Sequence, residues 1–305
     1  MTKDQNLNYS ELGVPVFLMD APQNYNTTEA NNIWMEDYGE EKRKVNKPKA
    51  FRQWLNLYNY IASSAYVITL PEFPVALQDQ VFVANLGIML HTGDFILSNF
   101  TSSPRLQETF YGKTFFDLFL KNPIICPHKF EGEAELKWLH DNVYIGGYGQ
   151  RSEVKSYLWM QINFDVQIIP VFEASNYCYH LDCSIFPLTK EKTLVCTKLL
   201  TKAEVRSIAA VTDIIDVPVA DAEMGICNAV RLDNLILSAH VDNPNEDSET
   251  REMRIHKNHT LERIARENAM EVVYFDLSEF EKGGAMLSCM VLHMNRHSYS
   301  INLLQ

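Results

Sequence analysis

The sequence of 305 residues lacks the features of several special classes of protein. No apolar run approaches the roughly 18 residues of a membrane-spanning helix, and the first residues show no basic segment followed by an apolar one, so no secretory leader is expected. The six cysteines are too few for a disulfide framework, and none forms a C-x-x-C pair suited to zinc or thiol redox chemistry. We therefore expect a soluble, cytoplasmic protein with no membrane partner and no metal site.

Positive charge is also scarce. The chain has 27 Lys and Arg against 39 Asp and Glu, a formal net charge of -12, and no basic stripe interrupts this excess. Such a surface repels a phosphate backbone, so no nucleic-acid partner is expected. Neither G-x-G-x-x-G nor G-x-x-x-x-G-K-[ST] occurs, which disfavours nucleotide binding, and we expect no cofactor.

Core-forming residues are abundant, at 46% hydrophobic and 11% aromatic. Short apolar segments alternate with helical patterns over almost the whole length, which predicts an α/β protein. The predicted strands are 14–20, 65–70, 122–126, 166–172, 213–217 and 271–277, and the predicted helices are 50–62, 105–120, 151–159, 202–211 and 259–269. The polar stretch 241–258 is predicted to be a surface loop.

A weak internal repeat underlies this alternation. Five times, a segment with polar or small residues runs into a strand, as in LQDQVFVANLGIML, EGEAELKWL, YHLDCSIFPL, MGICNAVRL and GGAMLSCMVLHMN, with a spacing near 60 residues. The repeat predicts one domain over residues 1–305, a closed ring of five modules with polar residues at the inner strand ends. A doubly wound sheet is the alternative.

One cysteine and one histidine stand out as candidates for chemistry. Cys289 follows the Gly283–Gly284 pair in EKGGAMLSC and is predicted to begin the final apolar strand, although a lone cysteine in an apolar strand is more often a core residue. His180 and Asp182 alternate in YHLDCSIF, so in a strand both side chains would point to one face. Such a pair is typical of acid–base catalysis, but equally of a structural pair or of half a metal site.

Two further polar segments contribute candidates. FEGEAEL places Glu131, Glu133 and Glu135 at period two, on one face of a predicted extended segment. This pattern is either a solvated edge or a carboxylate cluster that demands a metal or a guanidinium. In LQDQVFVANLG, Asp79 and Phe82 would face opposite sides of a strand. The segment must bend for both residues, together with Asn85, to reach one ligand.

These motifs together resemble a known family. An Asp before VFVANLG, then FEGEAE, GGYGQRS, YHLDCSIFPL and KGGAMLSC, occur in the order and spacing of the guanidino-group-modifying superfamily. Its members include arginine deiminases, dimethylarginine dimethylaminohydrolases, arginine dihydrolases and amidinotransferases. The resemblance implies the pentein fold, a five-bladed α/β propeller of five ββαβ-type modules, which agrees with the repeat.

The resemblance also implies roles for the candidate residues. Cys289 falls at the nucleophile, His180 at the general acid/base, and Glu133, with Glu131 as second choice, at the carboxylate that steers the guanidinium. Arg105 and Arg151 match the pair that grips the substrate carboxylate, a contact suited to bidentate guanidinium groups. The other substrate-binding candidates are Asp79, Phe82, Asn85, Glu135, Asp182 and Asn32.

The resemblance implies a cysteine-dependent hydrolase that acts on the guanidino group of arginine or a close derivative through an amidino-thioether intermediate. Asn85 favours the arginine dihydrolase branch, although that branch usually carries Asn-Pro-Trp-Met where this chain has NIWM at 32–35. One alternative is an amidinotransferase. Another is a non-catalytic pentein that binds a macromolecule, as the pentein ribosome anti-association factor does. The expected partner is a small guanidino substrate, and homo-oligomerisation stays open.

Overall fold

The computed structural model describes residues 12–120, 122–240 and 246–301. Fifteen strands lie within these ranges, most of them short, apolar and buried. They are β1 Val16–Met19, β2 Tyr66–Thr69, β3 Gly87–Met89, β4 Phe95–Leu97, β5 Ile124–Ile125, β6 Leu136–His140, β7 Val143–Tyr148, β8 Gln167–Phe172, β9 Ile185–Pro187, β10 Lys192–Val195, β11 Asp213–Asp216, β12 Ala229–Leu232, β13 Leu235–His240, β14 Glu271–Asp276 and β15 Leu292–His293.

The described residues also form nine α-helices, the longer of which pack against strands of the sheets. They are α1 Ile33–Tyr38, α2 Lys47–Ala62, α3 Glu108–Phe116, α4 Gly132–Glu135, α5 Val154–Asn163, α6 Lys202–Ala209, α7 Val219–Glu223, α8 Ser248–Glu267 and α9 Ser278–Glu281. None of the helices described here is long and apolar enough to cross a membrane.

The strands form five separate three-stranded sheets, which confirms the five predicted modules. In β6–β7–β8, the central strand β7 is antiparallel to β6 and parallel to β8, and α5 connects β7 to β8. The sheets β3–β4–β5, β9–β10–β11 and β12–β13–β14 repeat this ββαβ pattern. Three-stranded units of this kind are not the doubly wound sheet that the sequence left as an alternative.

The fifth module joins the two ends of the described chain. β15 pairs antiparallel with β1, with Phe17 opposite His293, and β1 pairs parallel with β2 across α2. Asn295 reinforces this closure, since its Oδ1 accepts a hydrogen bond from Val16 N at 3.1 Å. The last described strand therefore belongs to the same sheet as the first, and Cys289 just before it is held against the N-terminal module.

Apolar side chains fill the spaces between neighbouring sheets and beneath the helices. The amphipathic helix α2 buries Trp54, Leu57 and Ile61 against β1 and the segment around Phe280. Burial of each such side chain stabilises the fold by about 1.5–3 kcal/mol. This packing anchors the outer elements and leaves the inner strand ends for polar residues.

The prediction of a surface loop over residues 241–258 was wrong. Most of the stretch 241–258, predicted to be a loop, is the first half of α8, and the helix predicted over 259–269 is its second half. Asp247 caps the helix, accepting a hydrogen bond from Thr250 N at 2.8 Å. The first two turns bury little apolar surface, so their composition carries no helical signal. Residues 241–245 lie outside the described ranges.

Candidate active site

A narrow cavity lies where loops of several modules meet. Eight of the twelve candidate residues line it, namely Asn32, Asp79, Phe82, Asn85, Arg105, Arg151, His180 and Cys289. Asn31, Tyr179, Gly283 and Ala285 complete the lining. The remaining candidates, Glu131, Glu133, Glu135 and Asp182, are buried outside the lining.

Cys289 lies in a 3-10 turn, Ser288–Met290, rather than in the final strand as expected. The side chain is buried, and Asn228 Nδ2 lies 3.4 Å from its Sγ. Asp182 Oδ2 is 3.6 Å from the same sulfur. Burial, together with the charge of Asp182, raises the pKa of the Cys289 thiol to about 12. These surroundings therefore favour the thiol over the thiolate.

Asn228 and Asp182 both form hydrogen bonds with the turn that carries Cys289. Asn228 Oδ1 accepts a hydrogen bond from Ser288 N at 2.9 Å, and Ser288 Oγ donates one to Asp182 Oδ2 at 2.6 Å. Sequence reasoning missed Asn228, although it directly precedes β12 and Asn85 stands two residues before β3. Comparing the polar residue before the first strand of each repeat would have identified it.

His180 contacts Glu131 and Asn85 through one ring nitrogen. Its Nε2 lies 2.9 Å from Glu131 Oε2 and 3.3 Å from Asn85 Nδ2. Burial lowers the pKa of His180, although the hydrogen bond to Glu131 opposes this shift. The predicted strand at this position is wrong, because His180 immediately precedes the 3-10 turn Leu181–Cys183. The turn, rather than strand alternation, brings Asp182 towards Cys289.

Glu131 is a fully buried carboxylate with two cationic or hydrogen-bonding neighbours. Besides His180, Arg151 Nη1 lies 3.5 Å from its Oε1. Burial alone would raise the pKa of this carboxyl group, but the hydrogen bond from His180 and the charge of Arg151 outweigh it, and the pKa falls to about 2. Glu131 therefore stays ionised and can orient the imidazole of His180.

Glu133, the first choice for the steering carboxylate, faces a different part of the core. Its Oε1 lies 2.6 Å from His293 Nδ1 and 3.2 Å from Arg296 Nη1. The prediction of an extended FEGEAE segment is wrong, because Gly132–Glu135 forms a single helical turn. The glutamates at period two therefore point in different directions, and it is Glu131 that lies beside His180.

Asp79, Phe82 and Asn85 all line the cavity because their segment bends. It turns at Asp79, whose carbonyl accepts a hydrogen bond from Phe82 N, and continues into the 3-10 helix Val83–Asn85. Asp79 Oδ2 accepts a hydrogen bond from Asn31 Nδ2 at 2.6 Å. Burial raises the pKa of the Asp79 carboxyl group, with the charge of Arg105 opposing. A cation in the cavity would favour the ionised form.

The two candidate arginines differ in how strongly they bind carboxylates of the protein itself. Arg105 forms a buried bidentate pair with Glu108, at 2.9 and 2.7 Å, and donates to Phe82 O at 3.1 Å. Arg151 donates to the carbonyl of Asn31, and its guanidinium lies 5.1 Å from the ring centroid of Tyr179. Arg105 thus builds the wall of the cavity, whereas Arg151 has only a long contact to a carboxylate.

Asn32 fixes the start of α1 beside the cavity. Its Oδ1 accepts a hydrogen bond from Met35 N at 3.0 Å, a typical N-cap, while its Nδ2 donates to Gly283 O at 2.9 Å. One side chain therefore ties the N-terminal helix to the glycine pair that precedes Cys289. In the described ranges no group of three or more His, Cys, Asp and Glu side chains could hold a metal ion.

A buried thiol, an imidazole on a carboxylate, and the carboxylate Asp79 thus surround one cavity. The family model described as N,N dimethylarginine dimethylhydrolase, eukaryotic, matches residues 21–296. The bifunctional arginine dihydrolase/ornithine cyclodeaminase AgrE of Nostoc sp. (strain PCC 7120 / SAG 25.82 / UTEX 2576) is 27% identical over 290 residues, which cover 91% of this chain. The match covers only 37% of AgrE.

Solved structures agree with this similarity. The N-terminal domain of ArgZ, covalently bound to a reaction intermediate, has a TM-score of 0.80 and 25% identity, covering 92% of this chain and 98% of that one. A cysteine-to-serine mutant of that domain, bound to substrate, has the same TM-score, identity and coverage, and is described as an arginine dihydrolase from cyanobacteria. The resemblance to guanidino-group-modifying enzymes and the pentein fold are thereby confirmed. Since the family model matches most of the sequence, this chain belongs to the eukaryotic N,N dimethylarginine dimethylhydrolase family.

Proposed function

We propose that this chain hydrolyses the guanidino group of free arginine, with Cys289 as nucleophile, His180 as general acid/base and Glu131 as its orienting carboxylate. The observation that supports this most directly is that Cys289 and His180 line one cavity together with Asp79 and Asn85. A guanidinium held there by Asp79 would present its central carbon to the sulfur.

The positive charge of a bound guanidinium also stabilises the thiolate form of Cys289. Burial and the charge of Asp182 raise the pKa of the Cys289 thiol. A cation beside Sγ favours the thiolate, so the thiol gives its proton to His180 and the sulfur attacks the central carbon. His180 donates a proton to the departing nitrogen, ammonia leaves, and an amidino-thioether links Cys289 to the rest of the substrate.

Water completes the reaction. His180, now neutral, takes a proton from water as it attacks the same carbon, and the carbon–sulfur bond breaks to release citrulline. A second hydrolysis converts the ureido group to ammonia and carbon dioxide and leaves ornithine. The dihydrolase balance is arginine and two waters giving ornithine, two ammonia and carbon dioxide, and Asn85 beside His180 supports this outcome.

Product analysis tests the proposal. The protein is incubated with arginine, asymmetric dimethylarginine or agmatine, and ammonia, citrulline, ornithine and dimethylamine are measured. We expect ornithine and ammonia in a ratio of one to two from arginine and little turnover of agmatine, which lacks the carboxylate. Cys289→Ser should be inactive, whereas Cys183→Ser should keep its activity. Release of dimethylamine as the faster reaction, or no turnover at all, would overturn the choice of substrate.

A further inference from the structure

Two buried carboxyl groups lie behind the cavity, at one end of the β6–β7–β8 sheet. Glu135 directly precedes β6 and Glu173 directly follows β8, with Gly147 of β7 between them. A Cβ atom on Gly147 would lie 2.7 Å from Glu173 Oε1 and 2.8 Å from Glu135 Oε2. These two oxygens are therefore at most 5.5 Å apart, the sum of the two distances.

These carboxyl groups have almost no hydrogen-bond donors. Among the described residues, only Glu135 Oε2 accepts a hydrogen bond, from Leu181 N at 3.2 Å, and the other three oxygens have no partner. Two ionised carboxylates so close together in a buried site would repel each other strongly. Burial, followed by the charge of Glu173, raises the pKa of Glu135 well above its usual range, and burial raises that of Glu173 to about 8.

The surroundings add more negative than positive charge. Glu131 and Asp182 both raise the cost of ionising the pair, and Arg151 is the cation that opposes them. The hydroxyl of Tyr157 also faces this region, but it donates to the carbonyls of Glu135 and Gly147 rather than to a carboxyl group. A proton between the two glutamates would give both carboxyl groups a hydrogen-bond partner.

We propose that Glu135 and Glu173 share a proton and that this pair positions the turn carrying His180 and Asp182. Leu181, whose N–H donates a hydrogen bond to Glu135, lies between His180 and Asp182 in the sequence. The pair links the β6–β7–β8 sheet to the loop that approaches both Glu131 and Cys289. Neither carboxyl group lines the cavity, so both residues position the site rather than contact the substrate. The proposal rests on His180 acting on substrate in the proposed function.

Three variants separate a shared proton from simple packing. Glu173→Gln replaces the protonated carboxyl with a permanent neutral donor, so kcat should stay within about threefold of wild type. Glu173→Ala removes that donor and Gly147→Ala pushes the carboxyl groups apart without changing either. Both should lower kcat at least about tenfold with little change in KM, because the cavity lining is intact. Exposed Glu252→Gln on α8 is the control.

Infrared spectroscopy tests the proton without relying on turnover. At pH 7 the spectrum of wild type minus that of the Glu135→Gln/Glu173→Gln double variant should contain the carbonyl band of a protonated carboxyl group. Absence of this band, or a Glu173→Gln enzyme as impaired as Glu173→Ala, would overturn the pair. If the wild type fails to hydrolyse any guanidino compound, the proposed function fails, and the infrared band alone decides whether the proton is shared.

Discussion

At the scale of single residues, the choice between Glu131 and Glu133 can be tested directly. Glu131 touches His180, whereas Glu133 is paired with His293 and Arg296. We expect Glu131→Gln to lower kcat at least about a hundredfold, because the imidazole loses the charge that stabilises its protonated form. Glu133→Gln should mainly lower the free energy of unfolding.

Both variants are measured by steady-state kinetics and by urea denaturation, which separates catalysis from stability. Equal losses of kcat in the two variants at equal stability would contradict the assignment. So would full activity of Glu131→Gln. Sequence patterns do not distinguish Glu131 from Glu133, because a short polar segment such as Gly132–Glu135 fits an extended strand and a helical turn equally well.

The two arginines should also respond differently to removal. Arg151→Ala should raise KM for arginine about tenfold with a smaller effect on kcat, since a charge-assisted hydrogen bond contributes about 1.5–3 kcal/mol. Arg105→Ala leaves Glu108 buried without its bidentate partner, which costs about 3–5 kcal/mol of stability. Kinetics and thermal denaturation of both variants check this.

Agmatine provides the control for Arg151. It has no carboxylate, so its KM should change little in Arg151→Ala. A similar rise in KM for agmatine and arginine would show that Arg151 does not bind the carboxylate. The i, i+3 spacing of Arg105 and Glu108 was a visible sign of an internal ion pair, and it favours a structural role for Arg105.

At the scale of elements, the contact between α1 and the glycine pair before Cys289 can be tested with two glycines. Gly284 and Gly39 both have positive φ, 74° and 71°. A Cβ on Gly284 would overlap with the side chain of Asn32, whereas a Cβ on Gly39 would meet nothing within 4 Å. Both substitutions to Ala should cost about 1–3 kcal/mol in backbone strain.

Only Gly284→Ala should also displace Asn32 and raise KM for the substrate, because Asn32 lines the cavity and binds Gly283 O. Gly39→Ala is the matched control for the strain alone. Stability by chemical denaturation and KM by initial rates are the two measurements. Identical kinetics in the two variants would show that Asn32 has no part in shaping the cavity.

The elements that sequence patterns predicted are those that bury apolar residues with a clear period. Strands β1, β8 and β14 and helix α2 belong to this group, because their apolar side chains face neighbouring sheets. The polar turns at the site were predicted less well. Their conformation depends on tertiary hydrogen bonds such as Leu181 N to Glu135, which no local pattern records.

At the scale of the whole molecule, the buried carboxyl groups predict how stability depends on pH. Burial raises the pKa of Asp20 and Glu173 to about 8 and that of Glu108 to about 7. The stability that these three groups contribute is fully present below their unfolded pKa values of 3.8 and 4.5. It is lost as the pH rises through their folded pKa values of about 7 to 8. Stability should therefore decline from mildly acidic to mildly alkaline pH.

Glu131 acts in the opposite direction. Its pKa of about 2 means that its contribution is present above the unfolded value of 4.5 and is lost as pH falls towards 2. Urea denaturation between pH 3 and 9 should thus show maximal stability at mildly acidic pH. Glu173→Gln should flatten the alkaline decline and Glu131→Gln the acid one. An unchanged profile in both variants would contradict these shifts.

The five-module ring was the most predictable feature of the molecule. It followed from the repeat, in which polar residues precede short apolar strands, and its closure by β15 and β1 places Cys289 opposite the N-terminal loops. What the sequence could not give is how far each polar side chain reaches into the centre. The tertiary structure places Glu131, and not Glu133, beside His180, and it places Asn228 beside Cys289 Sγ.

The most direct test of the account is to trap the covalent intermediate. The enzyme is mixed with arginine, quenched in acid within the first turnover, digested, and the Cys289 peptide is weighed by mass spectrometry. We predict an adduct on Cys289 with the mass of arginine less ammonia, absent from Cys289→Ser. A bare amidino group on Cys289 would instead indicate amidino transfer, and an unmodified Cys289 during active turnover would contradict the proposed mechanism.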